Sequence, residues 1–233
     1  MLQPPSLFNI IVLCQKIDSM TRDEYVQYAK EVHMPLVLAM PGIRHYQANF
    51  MLPSDEVLPY DGVIHLWFDS AEDLERAYAS PEGRKALADA PACVKMPTTS
   101  IPVTENWLVN EVKHNHMFKA IFLASRKEGM SMEAFREYQM NIHVPLVMKI
   151  PGMRGYKVDF ARHQPEPAPY DAVISLWFSS PDDFRKGMNS SEAQDAIADQ
   201  SNFLQSQPVM LLCEEYHVED PRDFLNSQQE ASA

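Results

Sequence analysis

Apolar residues come in two rhythms along this chain, and the rhythms alternate. Phe8-Asn9-Ile10-Ile11-Val12-Leu13 is apolar and β-branched, which predicts a buried strand. Thr21-Arg22-Asp23-Glu24 has the form of a capping box, with Met20 and Tyr25 placed as a hydrophobic staple. Helical spacing follows towards Met40, with Tyr25, Tyr28, Val32, Leu36 and Ala39 on one face. Pro35 falls inside this run. Its ring removes one backbone hydrogen bond and crowds the carbonyl four residues back, so the helix should bend or unwind near His33. Pro41-Gly42 ends it. Ile43 to Phe50 then alternates like a strand, and Tyr60 to Phe68 is apolar on both faces, which calls for cover on both. Ser70-Ala71-Glu72-Asp73 opens a second helix, Ser80-Pro81-Glu82 caps a further helical segment, and Ile101 to Val109 closes the series as a strand.

The whole pattern then recurs. A shift of 110 residues, the distance from His33 to His143, lays His33-Met34-Pro35-Leu36-Val37 on His143-Val144-Pro145-Leu146-Val147. It also aligns Pro41-Gly42-Ile43-Arg44-His45-Tyr46 with Pro151-Gly152-Met153-Arg154-Gly155-Tyr156, and Leu66-Trp67-Phe68 with Leu176-Trp177-Phe178. The order β-α-β-β-α-β, twice, is an α+β fold of two tandem ferredoxin-like repeats. Residues 7–110 form the first and 117–218 the second, joined by the polar connector 110–116, with a polar and disordered tail over 219–233. One face of each sheet lies under helices. The other carries Val63, Trp67 and their copies and is too apolar for water, so the two sheets are expected to pack on each other within one chain.

Charge narrows the partners. A net charge of −12 argues against nucleic acid and against anionic membrane surfaces. The start, Met1-Leu2-Gln3-Pro4-Pro5, lacks a basic leader segment, and three widely spaced cysteines fit a reduced cytoplasmic protein. Seven glycines and no phosphate-cradling loop make a nucleotide an unsuitable cofactor, and none is expected. His114-Asn115-His116 has no companion ligands at metal spacing and reads as solvated.

The pattern His-x-Pro, Pro-Gly, a following Tyr, then Tyr-Asp before an apolar strand ending in Trp-Phe resembles the EthD-like family of dimeric α+β barrels. In that family two ferredoxin-like units dimerise to close a barrel, so the resemblance implies two such units fused and a complete barrel from one polypeptide. A folded monomer, or a dimer of barrels, would follow. Relatives of that superfamily include isomerases, cyclases and dehydratases, cofactor-free monooxygenases and proteins with no assigned activity.

Candidate chemistry sits where both copies agree. His33 and His143 can move protons near neutrality, and Tyr46 and Tyr156 can donate to an enolate or carbonyl oxygen. The competing reading makes each histidine a cap for carbonyls left open by the proline, and each tyrosine a core aromatic. Arg44 and Arg154 offer a carboxylate fork or a rim ion pair. Strand alternation puts Asp61, Val63, His65 and Trp67 on one face, as it does Asp171, Val173, Ser175 and Trp177. These are expected to line the lumen together with Tyr46 and Phe50, with Asp61 orienting the imidazole or simply holding its loop. Cys14 offers a lumen nucleophile or an inert buried thiol. Since His65 becomes Ser175 and His45 becomes Gly155, the first half keeps more titratable groups and is expected to be the active one. The reading is a cofactor-independent enzyme for a small oxygenated ring such as a lactone, enol or polyketide. Its chemistry is proton transfer, as in an isomerase or a dehydratase lyase. A cofactor-free monooxygenase and a non-catalytic ligand-binding protein are the alternatives.

Overall fold

The computed structural model describes residues 7–108, 117–162, 168–218 and 220–231. The connector 110–116, with His114 and His116, lies outside them. The first repeat runs β1 (Phe8–Cys14), α1 (Arg22–Tyr28), a π-helical turn (Ala29–His33), α2 (Met34–Leu38), β2 (His45–Met51), β3 (Gly62–Phe68), α3 (Ala71–Ala79), α4 (Pro81–Asp89) and β4 (Thr99–Leu108). The second runs β5 (Phe118–Ala124), α5 (Met132–Tyr138), a second π-helical turn (Gln139–His143), α6 (Val144–Val147), β6 (Met153–Ala161), β7 (Ala172–Phe178), α7 (Pro181–Met188), α8 (Ser191–Asp199) and β8 (Val209–Val218). The polar tail is not wholly irregular: Pro221–Ala231 forms a helix, α9, and Phe224 and Leu225 pack against the first half's core.

Hydrogen bonding joins the strands in the order β1-β3-β2-β8-β5-β7-β6-β4, which closes into a barrel. One chain therefore supplies all eight strands, as the tandem repeat implied. The chain divides into two compact units. The first half is Pro5–Pro102 with Glu215–Ala233, and the second takes in Val103–Glu214 with Met1–Pro4.

Capping explains where the helices begin. Thr21 accepts from the Glu24 amide and completes the expected capping box. Ser70, Ser80, Ser180 and Ser190 each accept from an amide three residues on. Gly42 and Gly152 adopt φ of +82° and +78°, the left-handed conformation that stops a helix and that other residues resist.

Pro35 and Pro145 act differently from a simple kink. The helix widens into one π-turn just ahead of each, with the Met34 amide bonding the Ala29 carbonyl and the Val144 amide the Gln139 carbonyl. Widening inserts a residue and resets the phase of the buried face. The inward residues are consequently Tyr25, Ala29, Met34, Val37 and Leu38, whereas Val32, assigned to that face by its spacing, is exposed.

Register settles which strand residues share a face. Tyr46 opposes Leu66 and Ala48 opposes Ile64, while His45 opposes Trp67 and Gln47 opposes His65. Tyr46, Phe50, Leu66, Phe68 and Cys14 belong to the cluster beneath the first half's helices. Tyr46, Phe50 and Cys14 thus do not line the lumen, because strand alternation turns them towards the helices. The opposite face carries Ile11, Val63, His65 and Trp67 with the buried polar residues Asn9, Gln47 and Asn49. In the second half the corresponding face carries Lys119, Asp159, Ser175 and Trp177, all buried. Ion pairing and ring contact accommodate those charges: Lys157 Nζ is 2.9 Å from Asp159 and Lys119 Nζ lies 4.7 Å from the Trp177 ring centroid.

Candidate functional site

In the first half a cavity of about 110 Å³ opens between the sheet and the helices. The π-turn places His33 at its wall, strand β2 supplies Tyr46, and β1 and the segment after α4 supply Cys14 and Cys93. His33 and Tyr46 therefore meet in one cavity, on the helix side of the sheet.

The imidazole is held by a residue that its own motif does not contain. His33 Nδ1 lies 2.8 Å from Asp89 Oδ2, at the end of α4, and the Tyr28 hydroxyl donates to Asp89 Oδ1 at 2.8 Å. A carboxylate only accepts, so Nδ1 carries the proton and Nε2 of the neutral ring keeps a lone pair. This arrangement replaces the expected helix capping, since neither His33 nor His143 makes a side-chain cap. Burial raises the Tyr46 hydroxyl well above its usual range, which keeps it a protonated donor at neutral pH. Burial also pushes the Cys14 thiol up to about 12, helped by Cys93 and Asp61, and raises Cys93 to about 11. Both are protonated, unreactive wall residues.

The second half repeats the frame. His143 Nδ1 is 2.9 Å from Asp199 Oδ2, the Tyr138 hydroxyl donates to Asp199 Oδ1 at 2.7 Å, and Asn202 adds a bond at 3.0 Å. The cavity beside it is about 50 Å³. Gln139 reaches across it to donate to the Tyr156 hydroxyl at 2.6 Å. Phe203 fills the position of Cys93, its ring 4.7 Å from that of His143 and 5.1 Å from that of Tyr138. Burial lowers the His143 pKa and outweighs the opposing pull of Asp199. At Asp199, burial would raise the carboxyl, but the bonds from Tyr138, Asn202 and His143 prevail and hold it below its ordinary value.

The remaining predicted residues lie elsewhere. Asp61 accepts from the Lys16 amide at 2.9 Å and Asp171 from the Arg126 amide at 2.8 Å, so both hold loops and neither touches an imidazole. Arg44 forks onto Asp69 at the surface as a rim ion pair, whereas Arg154 donates to the Ser179 hydroxyl at 2.9 Å. His65 and Trp67 stack with ring centroids 5.5 Å apart on the sheet face away from the cavity, and Trp177 lies on the matching face of the second half. Among the described residues no group of three or more His, Cys, Asp or Glu side chains is arranged to hold a metal, and no helix is long and apolar enough to cross a membrane.

Asp89, Asp199 and Tyr138 escape the reading of the sequence, which has Tyr28 only as a helix-face residue. A signal existed: Ala88-Asp89 falls on Ala198-Asp199, and Tyr28 on Tyr138, under the same shift of 110 residues that pairs His33 with His143.

Comparison with known proteins finds the same repeat. The EthD domain model matches residues 17–92 and again 127–207. An uncharacterized 11.0 kDa protein of Rhodococcus erythropolis, from the thcB-thcC intergenic region, is 35% identical over 88 residues, 36% of this chain and 84% of its own. Among solved structures, an anthrone oxidase-like protein superposes with a TM-score of 0.68 at 10% identity, over 93% of this chain and 95% of its own. An ethyl tert-butyl ether d (ethd) family protein of Bacillus halodurans is 26% identical, with a TM-score of 0.38 over 43% of this chain and 99% of its own. At 10% identity the first of these structures shares the fold alone.

Proposed function

The chain belongs to the EthD family, and from that premise we propose that its first half is a cofactor-independent oxygenase site for a small aromatic enol or phenol. One observation carries the reading: an imidazole oriented by a carboxylate, in the wall of an apolar cavity that also holds a buried phenol. Asp89 fixes the His33 tautomer and stabilises the imidazolium that forms once Nε2 has taken a proton from the substrate. Tyr46 donates to the oxygen on which negative charge develops. An apolar surround strengthens both interactions because little water competes with them. The electron-rich substrate anion then reduces dioxygen itself. At a methylene carbon flanked by rings, one oxygen atom ends in a new carbonyl and the other leaves as water with the two displaced hydrogens. The fold-level neighbour named anthrone oxidase-like is in keeping with that chemistry.

The test is an oxygen-electrode screen of enolisable aromatic ketones and phenols with the full chain. Expected is stoichiometric dioxygen uptake that falls at least about a hundredfold in His33→Ala and about tenfold in Asp89→Asn, the range for losing a positioned base and its orienting partner. Turnover that persists without dioxygen would move the same base to isomerisation or dehydration. No turnover with any member, together with unchanged behaviour of His33→Ala, would leave a non-catalytic binding protein.

A further inference from the structure

We infer that the first-half cavity takes one flat phenol or enol of two or three fused rings per chain, and that Gln139 and Phe203 shut the second-half cavity against the same ligand. This names the substrate class of the site proposed above and so rests on that reading, while adding which of two similar cavities is used and what decides it.

Shape comes first. Small residues of the helices, Ala29, Ala86 and Ala90, face Tyr46, Ile64 and Leu66 of the sheet across the first cavity. Tyr25 and Val37 of the helices, with Met40 just after them, close the rest of that wall, and the mainly apolar space left beside the alanines suits a ring system. The walls are apolar apart from His33, two protonated thiols and the hydroxyls of Thr98 and the tyrosines, so the cavity has no fixed charge to meet a carboxylate or phosphate. At its edge Leu87 and Met96 are 45% and 50% exposed, an apolar entrance.

The second half carries the same frame with the cavity obstructed. Ala29 is replaced by Gln139, Ala90 by Gln200 and Cys93 by Phe203, each a longer side chain pointing into the corresponding cavity. Gln139 is 2% exposed and donates to the Tyr156 hydroxyl, which holds its side chain in the second cavity. Phe203 stacks on Tyr138 with an interplanar angle of 22° and packs against Phe135, so the place for a ligand ring is taken by the protein's own. Displacing Phe203 would break three ring contacts and expose a fully buried side chain, which no weak ligand repays.

Calorimetric titration of the full chain with 2-naphthol tests this without asking for turnover. Expected is one equivalent bound per chain. Ala29→Gln and Cys93→Phe, each placing in the first half a side chain that the second half already accommodates, should each weaken binding at least tenfold while circular dichroism stays native. Gln139→Ala, in the second half, should leave the first equivalent unchanged. Two equivalents in the native chain, no binding by the native chain, or native affinity in folded Ala29→Gln and Cys93→Phe would each overturn the inference. Should either variant not fold, the other and the native stoichiometry decide. One equivalent bound with no dioxygen uptake would keep this inference and remove the oxygenase reading. Dioxygen uptake with two equivalents bound would do the reverse.

Discussion

The two halves hold the same histidine, aspartate and tyrosine in the same bonds, with His–Asp separations of 2.8 and 2.9 Å, yet differ in what lies beside them. In the first, Cys93 and Ala29 leave a cavity of about 110 Å³; in the second, Phe203 and Gln139 reduce it to about 50 Å³. The lesson is that the triad serves two purposes. It ties the π-turn to the end of the last repeat helix, a role either half needs, and it presents a basic nitrogen, a role that matters only where a ligand can enter. Finding the triad twice is therefore no evidence for two active sites.

Several substitutions break or sharpen that comparison. The widest gap is expected between His33→Ala and His143→Ala. The first should reduce kcat/KM by about 100- to 10,000-fold, the range for a general base, and the second should leave it within about threefold, as initial dioxygen uptake rates would reveal. Next comes packing. Phe203→Ala should cost about 3–5 kcal/mol in urea unfolding, because it empties a fully buried ring site, whereas Cys93→Ala should cost about 1 kcal/mol beside a cavity that is already open. Equal losses at the two positions would mean that the cavities are equally filled. Smaller again, Gln139→Ala should cost about 1–3 kcal/mol by leaving the buried Tyr156 hydroxyl without its donor.

The smallest difference is one of pH. Burial depresses the folded pKa of His143 below its ordinary 6.5, so the unfolded chain binds that proton more readily than the fold does. Stability from this group is complete above about pH 6.5 and is lost as pH falls through the depressed folded value. Melting temperatures of native protein and His143→Gln, compared from pH 8 to pH 5, should converge as the pH drops. A gap that widens on acidification would show that His143 is charged in the fold.

Much of this was readable in the chain. The repeat fixed the element order because both copies use the same caps, Ser70 with Ser180 and the Pro-Gly stops, and caps are local. Tyr46 was harder. Alternation places it opposite to His45 but cannot say which of two apolar faces meets the helices; only pairing with Leu66 decides. The shift of the helix face by Pro35 depends on a π-turn, which stays inside a helical rhythm while changing its phase. The bond from Asp89 to His33 spans 56 residues and arises where two helix ends meet in the folded chain, a juxtaposition with no local pattern.

The compact units also impose an order on synthesis. Val103–Glu214, almost all of the second half, is one continuous stretch, whereas the first half consists of Pro5–Pro102 and Glu215–Ala233. Val218, Tyr216, Phe224 and Leu225 complete the core beneath which His33 sits. A ribosome therefore releases the whole plugged half before it delivers the pieces that finish the open one. The first half's core is thus complete only once residues 215–225 have emerged, after all of Val103–Glu214.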